Sequence, residues 1–194
     1  MKVEVERQSE SMWQKAKNLA MRTIGKDSGK APSTQWKTKI LLAEHSPIRS
    51  LKFYVTVWNL KYWISVHLVR HKTGIEHYVS TQRTDRTGVE RDDLPQKSLV
   101  SHTMDVNAQA LIYMARKRLC NQAAAETVKT FAVIKEEIAK YEPELASVMV
   151  RECVYRGFCP EMKCCGYVKT DAYRRERLEY ASKGVMPNGE NSQI

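Results

Sequence analysis

Between Leu51 and Val57 the chain alternates. Leu51, Phe53, Val55 and Val57 are apolar, and Lys52, Tyr54 and Thr56 stand between them. Side chains that recur every second residue share one face of an extended strand, so this run predicts a strand over 49–58 with one side buried. Elsewhere the apolar spacing is mostly that of helices. A clear strand among helical segments predicts an α+β fold, mostly helical with a small antiparallel or mixed sheet. The 194 residues suit a single domain, 1–194, in which 151–194 form a C-terminal extension with no readable motif.

The helices are placed by their stripes and caps. Ser9 or Ser11 caps a first helix to about Ile24, with Met12, Ala16, Leu19 and Ala20 as its apolar stripe. Residues 25–32 read as a loop, and Ser33 caps a second helix ending near Glu44, broken by His45-Ser46-Pro47. Asn59 is expected to cap a third helix carrying Leu60, Trp63, Ile64, Val66 and Leu68 into Arg70 and His71, with Gly74 ending it. Residues 75–82 are expected to be extended and 83–97 to be a polar loop. Asp105 is expected to cap a long helix ending near Cys120, and Asn121 another with Val128, Phe131, Ile134, Ile138 and Tyr141. Pro143 stops that helix or opens a short one. Residues 151–168 read as irregular, Thr170 or Asp171 caps a last helix to about Ser182, and the tail from Gly184 reads as mobile.

Charge narrows the function. The net charge is +10, and it is unevenly spread. Residues 1–40 hold nine Lys/Arg against four Asp/Glu, 49–91 eight against three, and 92–194 fifteen against fourteen. Such a first half suits an anionic partner: a nucleic acid, a phosphorylated small molecule or an anionic membrane; the plain alternative is a solubilising surface. Nowhere is there an apolar run of the ~20 residues that would cross a bilayer, and the opening MKVEVERQSE has no signal-peptide core, so a cytoplasmic location is expected. Five cysteines, two of them adjacent, fit a reducing compartment better than a disulfide framework.

Four constellations can carry chemistry. Arg70-His71-Lys72 precede Gly74, where a backbone can approach a ligand, and guanidinium forks suit phosphate; otherwise they are a solvated helix end. His67 and His71, four apart with Glu76 and His77 nearby, have a spacing that can chelate zinc, yet read better as packing or surface residues. Cys153, Cys159, Cys164 and Cys165 lie within thirteen residues but not as paired CxxC motifs, so no metal is expected, and Cys120 reads as helix packing. Asn107 and Arg118, eleven residues or about three turns apart, fall on one helical face.

Taken together these segments resemble the flavin-dependent thymidylate synthases, whose signature is RHRxxSxNExSxR. Here the stretch runs from Arg70-His71-Lys72 through Ile75, His77, Tyr78 and Ser80 to Arg83. Ser46-Pro47, the strand and the helix into Arg70 reproduce the family's upstream layout. Arg91 before Leu94-Pro95, then Asn107-Ala108, Arg118 and Ala123-Ala124-Ala125-Glu126, match its downstream pieces without gaps. The resemblance covers about residues 44–130, and 10–44 more loosely. Lys72 replaces an arginine, Ile75 a serine, His77 an asparagine, Tyr78 a glutamate, Ser50 an upstream histidine and Ala124 a glutamine. The final arginine is either shifted by one to Arg83 or lost to Gln82, and the segment before Leu94-Pro95 is shorter.

The resemblance implies an enzyme: FAD-dependent methylation of dUMP to dTMP, with methylenetetrahydrofolate and NADPH as co-substrates and no enzymic nucleophile. It implies catalytic roles for Arg118, which polarises the pyrimidine, and Ser80. Nucleotide contacts are implied for Arg70, His67, Ser80, Arg83, Arg91 and Arg118, and FAD contacts for Ser50, Arg70, His71, Lys72, Asn107 and Tyr113. It further implies a homotetramer with sites shared between subunits, acting on a small pyrimidine nucleotide rather than on nucleic acid or a membrane. The departures leave two alternatives: a related flavoenzyme acting on another pyrimidine nucleotide such as dCMP, or hydroxymethylating it, and a silent nucleotide- or nucleic-acid-binding homologue.

Overall fold

The computed structural model describes residues 1–184; residues 185–194, on which most of the expected mobile tail falls, lie outside them. The chain opens with a strand the sequence reading missed, β1 (Lys2–Arg7). Its alternation of Val3 and Val5 with charged residues is short, and partnership with the next strand fixes it. Helix α1 (Met12–Arg22) buries Met12, Trp13 and Ala16, and Ser11 precedes it without capping it through its side chain. In α2 (Thr34–Leu42), Ser33 is the cap expected: its hydroxyl oxygen accepts the Trp36 N–H at 3.2 Å, a contact worth ~1 kcal/mol. A tight turn over Ser46–Ser50, with Pro47 in its first positions, leads into β2 (Lys52–Lys61).

Asn59 does not cap a helix. It lies inside β2 at φ 55°, where the register shifts between Val57 and Leu60. Asparagine tolerates this left-handed conformation, so a bulge is made where a helix start was expected. Helix α3 (Tyr62–Leu68) follows at once. Its first amides, on Tyr62 and Trp63, donate to the carbonyls of Ser98 and Gln96. It ends at Leu68, so Arg70 and His71 stand in the turn beyond it.

β3 (Ile75–Val79) lies within the expected extended segment. A single turn, α4 (Thr84–Thr87), interrupts the expected loop. The largest correction is β4 (Leu99–Asn107): Asp105 lies in this strand, whose Val100, His102, Met104 and Val106 point inward. Helix α5 (Ala108–Arg118) starts only after it, capped by Asn107, whose Oδ1 accepts the Ala110 N–H at 2.9 Å.

Helix α6 (Ala125–Ala139) starts after Ala124 rather than at Asn121. Phe131, Ile134 and Ile138 are buried as its stripe requires, whereas Tyr141 is exposed beyond its end. Pro143 opens α7 (Pro143–Val148). The segment expected to be irregular contains α8 (Glu152–Arg156) and a turn at Tyr167–Lys169. Thr170 caps α9 (Asp171–Ser182) by accepting the Tyr173 N–H at 3.2 Å.

The sheet is antiparallel throughout, in the order β1-β2-β4-β3. One face, with Val3, Phe53, Val55, Val57, Met104, Val106 and Ile75, joins Leu111, Met114, Phe131, Ile134 and Ile138 in a single core. The other face leaves Tyr54, Trp58 and Tyr78 exposed. A smaller cluster of Val150, Cys153, Val154 and Tyr173 holds α8 to α9.

Candidate active site

The site forms where the turn after α3 crosses α5. Gly74 stands at φ 74°, its carbonyl accepts the Asn107 N–H at 3.0 Å, and an added Cβ would meet Asn107 Nδ2 at 2.4 Å. Glycine is therefore required both by conformation and by the close approach. At the far end of α5 the Arg118 Nε–H donates to Nε2 of His71 at 2.8 Å. The two ends of α5 thus hold the two ends of one short turn, 71–74.

This turn gathers positive charge. Arg70 is exposed beside a half-buried Arg118, and Lys72 is exposed at its other side. Burial first, and then the charge of Arg70, push the Arg118 guanidinium below its ordinary pKa. Burial, then Arg118, then His77 hold His71 down to about 4, so it is neutral at neutral pH. Burial, Arg118 and Arg70 likewise lower His67, whose Nδ1 lies 2.9 Å from the Thr127 hydroxyl. Among the described residues Arg70, Lys72 and Arg118 have no carboxylate partner. A half-buried cation with only cationic and neutral neighbours is costly unless an anion arrives to share the site.

Other expected residues behave differently. The Ser80 hydroxyl oxygen accepts the Ser101 N–H at 3.0 Å, extending the β3–β4 pairing and leaving its own proton to donate elsewhere. The Ser50 hydroxyl donates to the Pro47 carbonyl of its own turn at 2.8 Å. Tyr113 is exposed on α5, with the Arg116 guanidinium 5.2 Å from its ring. Arg83 is engaged in a two-pronged pair with Asp85, at 2.9 and 2.8 Å. Arg91 is exposed, and its backbone N–H is held by Thr84 and Glu90. Within the described chain neither Arg83 nor Arg91 touches the Arg70–Arg118 cluster.

Sequence reasoning missed His102, a fully buried histidine behind the turn. Its signal was a polar residue in the apolar alternation Val100, Met104, Val106. It also missed the support beneath α5. There Glu44, at φ 51°, accepts from Arg116 and, at 2.6 Å, from Gln109, and the Arg116 guanidinium lies 3.6 Å from the Tyr155 ring centre.

The cysteines lie elsewhere. Cys120, Cys153, Cys159 and Cys165 line a shallow cavity against Arg151 and Tyr167, and all five cysteines of the chain are free. Burial pushes the Cys153 thiol up to about 11, which keeps it a thiol rather than a nucleophilic thiolate. Among the described residues no group of three or more His, Cys, Asp or Glu is placed to hold a metal, and no helix is long and apolar enough to cross a membrane.

No family model and no curated protein matches the sequence. Solved structures do match its fold. The flavin-dependent thymidylate synthase ThyX from Helicobacter pylori, complexed with FAD and dUMP, superposes with a TM-score of 0.60 over 76% of this chain and 100% of its own, at 11% identity. A UMP/dUMP methylase, PolB from Streptomyces cacaoi, bound with 5-Br dUMP, gives a TM-score of 0.56 over 81% of this chain and 96% of its own, at 14% identity. At such identity the likeness is one of fold, and the chain has the fold of these proteins.

Proposed function

We propose that the chain is a flavin-dependent enzyme that adds a one-carbon group to a pyrimidine nucleotide, with dUMP as substrate and dTMP as product. The observation that carries this reading is the half-buried Arg118, clamped to His71 beside Arg70 without an acidic partner among the described residues. The donor set fits two anions, a nucleotide phosphate and the pyrophosphate of FAD. Arg70, His71, Lys72 and Asn107 would hold the flavin, with Ser50 and Tyr113 as outer contacts. When bound, FAD would supply hydride chemistry that no side chain can.

The protein's own part is electrostatic. A pyrimidine ring receiving hydride gathers negative charge on its carbonyl side, and a fixed guanidinium there favours the transition state over the ground state. Arg118 is that group: the bond to His71 orients it before any ligand arrives. Arg70, with His67 behind it, and Ser80 would contact the nucleotide. Arg91 would join them, and Arg83 only on leaving Asp85. NADPH and methylenetetrahydrofolate would be the co-substrates. The exposure of Arg91 and Tyr113 suits a site completed by another subunit of a homotetramer.

The test is the visible spectrum of the purified protein. Flavin bands that bleach with NADPH support the reading, and a colourless protein that takes up no added FAD overturns it. Tritium release from labelled dUMP against dCMP identifies the base. Oligonucleotide binding that weakens steeply with salt, without flavin, would favour a silent binding homologue.

A further inference from the structure

Behind the cationic turn lies a line of histidines. His77 Nε2 is 2.7 Å from the backbone carbonyl of His71, and His77 Nδ1 is 2.9 Å from Nε2 of His102. His77 and His102 are diagonal neighbours on the inner face of β3 and β4: His77 is opposite Met104, and Val79 is opposite His102. The Nδ1 of His102 is buried with no partner among the described residues.

These contacts fix every proton. A carbonyl only accepts, so His77 carries its hydrogen on Nε2, and in the neutral ring Nδ1 is then the acceptor. His102 must therefore donate through Nε2, which leaves its buried Nδ1 as a bare lone pair. A buried N–H without a partner would cost more than an unused lone pair, so the geometry and the orphaned atom agree. At the turn, Arg118 donates to His71 Nε2, so the His71 proton is on Nδ1. One direction of donation runs from the core through His102 and His77 to the His71 carbonyl, and Arg118 holds the same residue's ring.

We propose that His77 and His102 are positioning residues for this site: a two-imidazole strut that holds the His71 carbonyl, and so sets the turn bearing Arg70 and Lys72 and the aim of Arg118. The inference rests on the reading of the turn as an anion site. It assigns work to His77, which departs from the pattern the sequence resembles, and to His102, which that pattern does not include. The titratable and charged groups around the strut are His71, whose carbonyl His77 holds, and Arg118 from α5 on the His71 ring. β2 presents Val57 opposite His102.

The experiment compares full-length wild type, His77→Asn and His77→Ala by two readouts. Without ligand, nitrogen NMR should find His77 and His102 protonated on Nε2 and His71 on Nδ1. It should also find the Arg118 Nε–H protected from exchange in wild type and His77→Asn and lost in His77→Ala. Asparagine can rescue because its amide offers one donor and one acceptor. With FAD, wild type and His77→Asn should bind with similar affinity at neutral pH. His77→Ala should bind about five- to tenfold more weakly at neutral pH, the worth of one lost hydrogen bond. It should also bind more tightly on acidification, as a released His71 takes up charge. Other tautomers, an Arg118 signal still protected in His77→Ala, or no rescue by asparagine overturns the strut. Failure of wild type to bind FAD overturns the functional reading instead, and the ligand-free spectra then still decide the strut.

Discussion

Arg118 and His71, 47 residues apart in sequence, are joined by one hydrogen bond of 2.8 Å from a guanidinium to an unprotonated imidazole nitrogen. That bond fixes the direction of the cation and the tautomer of the ring, while burial first and then the charge of Arg118 keep the ring neutral at neutral pH. It joins two polar side chains at element ends before any ligand is present.

Arg118→Ala should abolish nucleotide turnover while FAD stays bound. Loss of one fixed group facing developing charge costs about 10²–10³ in rate. Arg118→Lys should recover little, because an ammonium cannot reproduce the Nε–H geometry. Steady-state nucleotide-dependent flavin oxidation and a flavin titration separate turnover from cofactor binding.

Gly74→Ala should weaken both fold and site. Its φ of 74° and the 2.4 Å approach to Asn107 Nδ2 leave no room for a methyl group. A destabilisation of about 1–3 kcal/mol is expected, read as a lower urea midpoint. Flavin affinity should fall with it, because the turn must lift from α5.

Asn107 can be dissected. Asn107→Ala removes the acceptor for the Ala110 N–H, which should cost ~1 kcal/mol. Asn107→Asp keeps that acceptor and should restore most of the stability. It should not restore FAD affinity, because a carboxylate would then neutralise the cationic turn. Chemical denaturation and flavin titration on the same samples check both parts.

Acid should destabilise the protein through its buried histidines. Burial, and then His77, hold His102 at about 4 in the fold, against an ordinary 6.5. The unfolded chain therefore binds more protons between those values, so stability is full above pH 6.5 and falls as pH drops toward 4. His71 acts in the same direction, with the same two limits. Denaturation midpoints across this range should slope upward with pH, and His102→Met should flatten the slope.

Glu44→Ala should be the most damaging surface-facing change. It leaves Arg116, whose side chain is 9% exposed, without its carboxylate. Breaking such a pair from one side costs about 3–5 kcal/mol, and stacking on Tyr155 places the expected loss near the lower end. A thermal melt checks it, and the double change Glu44→Ala with Arg116→Met should recover part of the loss.

Much of this was readable in the sequence where the signal is local. Ser33 and Thr170 cap helices because a hydroxyl two or three residues from the first amides needs no distant partner. The alternation from Leu51 to Val57 gave β2, and Arg70-His71, Gly74, Asn107 and Arg118, singled out in the sequence, are brought together at one turn. The misreadings share one cause. Asn59, Asp105 and Asn121 are good caps by residue type, yet Asn59 and Asp105 lie in strands and Asn121 in a turn before α6. Cap chemistry states what a residue can do, whereas strand pairing at Asn59 and Asp105, and the later start of α6 at Asn121, decide whether it does.

The sequence by itself determined the fold class, the caps at Ser33 and Thr170, and the store of cations in the first half of the chain. Tertiary structure decided which cations are bare. Arg83 is paired with Asp85, whereas among the described residues Arg118 hydrogen-bonds His71 and lies in the field of Arg70, with no carboxylate partner. It also decided that His102 is buried against His77, 25 residues away, and so must be neutral. Burial and hydrogen bonding set charge state and aim, and both depend on residues brought together across the sheet.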